Sequence, residues 1–136
     1  MPGLITEKEK LQLATDFLTS WKSRDWTNMK TLLSENVVWS LPGESILSGE
    51  VKGPDAITKR AGQLKDFGVM VEIKQILFNE KGLALSLHNT AKRGELILDE
   101  WVVIVCELEG SKISRLTTHL NDIAGINAFF ISGIID

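Results

Sequence analysis

From Val69 to Leu120 the chain reads as four extended runs, 69–79, 83–92, 96–108 and 112–120. They are broken by Glu80-Lys81-Gly82, Arg93-Gly94-Glu95 and Glu109-Gly110-Ser111. Turns this short join neighbouring antiparallel strands, so this half of the chain is committed to a meander. A sheet of this kind buries one face only if something covers it, and the preceding residues carry the helical period that can do so. The third run contains Asp99-Glu100-Trp101-Val102-Val103-Ile104-Val105-Cys106-Glu107-Leu108, which scarcely alternates. A strand with one wet face should alternate. Here both faces are apolar, and one acid falls among the residues of the greasier face.

Thr6-Glu7-Lys8-Glu9 is a capping box that predicts a helix start, followed by an apolar stripe of Leu11, Ala14, Phe17, Leu18 and Trp21. Asp25 caps a second helix, Trp26 to Leu33, with Met29, Leu32 and Leu33 inside. Val37 to Leu41 is a short strand stopped by Pro42-Gly43, and Glu44 to Lys52 is a loop or weak strand. Gly53-Pro54-Asp55 opens a third helix with Ile57, Ala61 and Leu64 inward and Gly68 as its stop. Helices first and strands afterwards define an α+β domain, residues 1–136 as one unit, with helices over one face of a curved antiparallel sheet. The ending Ala128-Phe129-Phe130-Ile131-Ser132-Gly133-Ile134-Ile135 is too apolar for a solvated tail and is expected to dock.

Composition narrows the partners. A net charge of -3 gives no basic footprint for nucleic acid or anionic membrane. No apolar run reaches the roughly 18 residues a spanning helix needs, and MPGLITEKEK lacks the apolar core of a signal peptide. The single Cys106 forms no internal disulfide and belongs to no zinc-type spacing, so no metal is expected and a reducing cytoplasm fits best.

Four patterns, FLTSWKSRDWTNMKTLLSENVVW, PGES with SGEVKGPDAI, DEWVVIVCELEGSKI and TTHLND, occur in an order that resembles the nuclear transport factor 2-like superfamily, in particular its SnoaL-like members. The resemblance covers roughly residues 10 to 125. It implies a cone, a bent sheet wrapped round a pocket and closed by helices. Relatives include polyketide cyclases, ketosteroid isomerases, epoxide hydrolases and binding proteins, so the fold implies a cavity and leaves its chemistry open. The epoxide hydrolase pattern sets pocket-lining positions on Glu100 and Val102, but its catalytic arginine and two aspartates fall on His88, Thr90 and Thr118. The ketosteroid isomerase pattern sets its base on Leu41, its tyrosine on Phe17 and its neutral acid on or near Ile104. Neither mechanism carries over.

Side chains alternate along a strand, so one assignment fixes a face. In the third run Leu96, Leu98, Glu100, Val102, Ile104, Cys106 and Leu108 form the inner candidate set, with Glu100 its only acid. Asp99 and Trp101 then belong to an outer, subunit-facing side. In the second run Leu83, Leu85 and Leu87 oppose Ala84, Ser86, His88 and Thr90. Ordinary patterning turns His88 outward; a cone with a polar pocket turns it inward, and the inward reading is taken here. A three-residue turn would then set His88 against Glu100, whereas a two-residue turn would pair it with Asp99. Glu100 reads as a general acid or base with His88 as its partner, against the plainer alternative of a satisfied buried acid. Trp39 and Leu41 line the pocket by the family resemblance. Phe17 and Trp21 close it from above, and Ser86, Thr90, Val102 and Thr118 shape it. His119 reads as surface or interface, and Cys106 as core.

The expectation is therefore a homodimer, joined through the outer sheet face, that holds a small, largely apolar molecule such as a cyclic ketone, epoxide or polyketide-type compound. Cofactor-free isomerisation, cyclisation, dehydration or hydrolysis stands beside a non-catalytic binding or scaffold role.

Overall fold

The computed structural model describes residues 5–132. The chain runs α1 (Glu7–Ser23), α2 (Trp26–Thr31), β1 (Leu33–Leu41), β2 (Gly49–Lys52), α3 (Pro54–Asp66), β3 (Met70–Asn79), β4 (Gly82–Arg93), β5 (Leu96–Glu109), β6 (Lys112–Leu120) and α4 (Ile123–Phe129). The strands form one open sheet in the order β2-β1-β6-β5-β4-β3. The meander is antiparallel throughout, but β1 runs parallel to β6. The sheet is thus mixed rather than wholly antiparallel. α3 and the meander lie between the two strands in the sequence, and a parallel neighbour requires a long crossover of that kind.

The capping box forms as its spacing predicts, with Thr6 Oγ1 accepting from Glu9 N at 3.1 Å and Glu9 Oε1 accepting from Thr6 N at 3.0 Å. The buried stripe of α1 contains Leu13, Ala14, Phe17, Leu18 and Trp21, while Leu11 is 46% exposed. The helix is turned so that Lys10 tucks under it and donates to the Asn79 carbonyl at 2.7 Å, which moves Leu11 off the core. α2 stops at Thr31, two residues earlier than its apolar pattern suggests, because Leu33 already pairs with Ile113 in β1. A register shift between Leu33 and Val38 lets β1 begin before the Val37 run.

The apolar ending docks as far as it is described: Phe129 and Phe130 are buried and pack edge-on against each other and around Phe67. Residues 133–136 lie outside the described set. α4 itself was not foreseen. It starts at Asp122, whose carboxylate caps Gly125 N at 3.0 Å, and it lies against β5 as the last wall of the interior. Among the described residues no helix is long and apolar enough to cross a membrane.

Candidate functional site

Between α1, α3, α4 and the inner sheet face lies a cavity of about 80 Å³. Its wall is almost entirely carbon: Phe17, Trp21, Leu41, Leu85, Leu87, Val102, Ile126 and Phe130 are among the lining residues. The polar side chains in that wall are Asn89, Glu100 and Thr118, with the indoles of Trp21 and Trp39. Both indole N–H groups are already used. Trp21 Nε1 donates to the Ala61 carbonyl at 3.0 Å, and Trp39 Nε1 donates to Thr118 Oγ1 at 2.8 Å. Arg60, itself buried, stacks 5.1 Å over the Trp39 ring and donates to the Trp39 and Gly49 carbonyls at 3.1 and 2.9 Å. Burial lowers the Arg60 pKa to about 10. These bonds hold the Trp39 wall in place, so its ring shapes the cavity rather than sweeping through it.

Glu100 is 2% exposed and sits at the β5 end of the cavity beside the start of α4. Its Oε1 accepts from Asp122 N at 3.3 Å. A methyl group on Gly125 would stand 2.5 Å from Glu100 Oε2 and 2.9 Å from Asp122 Oδ2, so a larger residue there would push both carboxylates aside. Burial drives the Glu100 pKa up to about 7; the Asp122 amide bond pulls it down, and the Asp122 and Asp99 carboxylates push it up further. A carboxyl that changes charge near neutrality inside carbon walls can give or take a proton at working pH.

His88, Ser86 and Thr90 are not in this cavity, contrary to the inward reading of β4. Arg93 pairs with Leu96, leaving Gly94-Glu95 as a two-residue turn, with Gly94 at φ 61 supplying the left-handed first position. That register pairs His88 with Trp101 rather than with the Asp99 expected of a two-residue turn, Ser86 with Val103 and Thr90 with Asp99, all on the outer face. The His88 ring lies flat on Trp101, centroids 4.1 Å apart, and Nε2 meets Asp99 Oδ1 on the diagonal at 2.6 Å. The expected His88–Glu100 contact is therefore absent, and the cross-strand partner of Glu100 is Asn89. Asn89 was missed, although continuing the Leu83, Leu85, Leu87 alternation by one more step leads straight to it.

Phe17, Trp21, Trp39, Leu41, Glu100, Val102 and Thr118 all line the cavity. Its size bears on what it holds. An apolar cavity of about 150 Å³ takes benzene, so the space here suits a molecule of a few heavy atoms rather than a polycyclic one.

No protein-family model matches the sequence, and no curated protein does. Solved structures do. Bal32a, from a soil-derived mobile gene cassette, is 24% identical and superposes with a TM-score of 0.84 over 90% of this chain and 97% of its own. A nuclear transport factor 2-like protein from Burkholderia xenovorans LB400 is 18% identical, with a TM-score of 0.77 over 94% and 99%. An LEH-like epoxide hydrolase from M. tuberculosis is 16% identical, with a TM-score of 0.67 over 90% and 90%. The chain has the nuclear transport factor 2-like fold.

Proposed function

We propose that the protein is a SnoaL-like, cofactor-free acid–base enzyme acting on a small, largely apolar carbonyl compound or epoxide, with Glu100 moving the proton. The carrying observation is a single ionisable side chain buried in the carbon wall of a cavity, its pKa about 7. Isomerisation, dehydration, cyclisation and hydrolysis all need such a group. We further propose a homodimer through the outer sheet face, where Met70, Leu77, Ile97 and Trp101 are exposed together with the His88 stack. The lone, buried Cys106 supports a reducing compartment.

Binding without turnover is the second reading, favoured because among the described residues no other titratable side chain lines the cavity. One experiment separates the two. Butanone in deuterated buffer is followed by NMR for exchange at its α-carbon and for binding. Catalysed exchange that drops about a hundredfold or more in Glu100→Gln supports the enzyme. Exchange unaffected by that change would overturn it, and saturable binding with no exchange would establish the second reading.

A further inference from the structure

The register sets Asn89 directly opposite Glu100, and opposed side chains in antiparallel strands have Cβ atoms about 4.5–5.5 Å apart. Both line the same end of the cavity. Asn89 Oδ1 is buried and receives no hydrogen bond from the described residues. Glu100 opposite makes no hydrogen bond to it, and its other neighbours on that wall, Val71, Leu87, Leu98 and Val102, have only carbon to offer. Thr118 is remote: it pairs with Ile104, four residues along β5 from Glu100, which at about 3.3 Å per residue is ~13 Å. Its oxygen is also occupied by Trp39. A buried acceptor without a donor is costly, and a ligand that brings the donor relieves that cost.

We propose that Asn89 and Glu100 together select a small α-hydroxy carbonyl compound. The ligand hydroxyl donates to Asn89 Oδ1, and the adjacent carbonyl oxygen accepts from the protonated Glu100 carboxyl. An α-hydroxy ketone carries these two oxygens on neighbouring carbons, so one small ligand bridges the two opposed side chains. A cavity of about 80 Å³ suits a ligand of this size. The remainder of the ligand meets the carbon wall. This specificity rests on the reading of the Glu100 cavity as the ligand site.

Hydroxyacetone and butanone test it, because they have the same number of heavy atoms and differ by a hydroxyl in place of a methyl. In NMR titrations of the full chain near pH 6, hydroxyacetone binds about tenfold more tightly than butanone. Asn89→Leu abolishes that preference by weakening hydroxyacetone alone. Equal affinities in the wild type, or a preference that survives Asn89→Leu, overturn the proposal while leaving the Glu100 site standing. Binding of neither compound overturns both. Should Asn89→Leu fail to fold, the wild-type pair decides the matter alone.

Discussion

On the inner face of the β4–β5 hairpin Leu85 meets Ile104 and Leu87 meets Val102; on its outer face Ser86 meets Val103 and His88 meets Trp101. The strands are the same, yet Leu85 is 1% exposed and Ile97, on the outer side, is 68% exposed. Asp99 and Glu100 show the contrast most sharply. One residue apart, the first reaches water and a histidine, while the second is sealed against α4. The inner face is the more apolar, yet the outer face also carries Ile97, Trp101, Val103 and Val105. What differs most is the cover: α1, α3 and α4 lie on one face, and none of the described helices lies on the outer face of β4 and β5.

The largest expected effect tests that cover directly. Leu85→Ala should cost about 2–5 kcal/mol in denaturant unfolding, because it removes buried contacts and enlarges the cavity that Leu85 lines. Ile97→Ala, measured on dilute protein, should stay within about 0.5 kcal/mol. Comparable losses at both sites would mean that the outer face is buried in the unit that unfolds.

Glu100 gives the next effect through pH. Its folded pKa of about 7 lies above the ordinary 4.5, so between those values the folded chain holds more proton than the unfolded one. Stability must therefore fall as pH rises through this window and level off above it, by up to about 3 kcal/mol in all. Glu100→Gln removes that slope and is the more stable protein at pH 8. A wild-type slope that persists in the variant would place its source elsewhere.

The smallest effects on folding belong to the outer face. Trp101→Asp should leave the folded monomer intact and shift the mass in solution from dimer to monomer at micromolar concentration. His88→Ala should change stability by less than about 1 kcal/mol and leave ligand exchange in the cavity untouched. A monomeric wild type would remove the dimer from the account.

Local signals made much of this legible in the sequence. The Thr6 and Asp25 caps, the Pro54 helix start and the four strands of the meander follow from hydrogen-bonding needs within a few residues. The inner face of β5 was readable because Glu100 is the only acid among its apolar positions up to Leu108. The inner face of β4 was not, since the leucine set and the mixed set are each plausible walls and turn length arbitrates between them. The parallel β1–β6 contact joins residues far apart in sequence, such as Trp39 and Leu116, and leaves no local trace. α4 escaped notice for another reason: it is only seven residues long and contains Gly125, a poor helix former kept where α4 meets Glu100.

The two-residue turn at Gly94-Glu95 also limits how this cavity can be remodelled, in evolution or at the bench. A one-residue slip of β4 against β5 would bring His88 to the inner side, but in the same stroke it would throw Leu83, Leu85 and Leu87 into water. Register slips in that hairpin are therefore a closed route to new chemistry. Variation must instead arrive one substitution at a time, at the odd-numbered positions of β4 and the even-numbered positions of β5, with Asn89 and Glu100 the pair best placed to receive it.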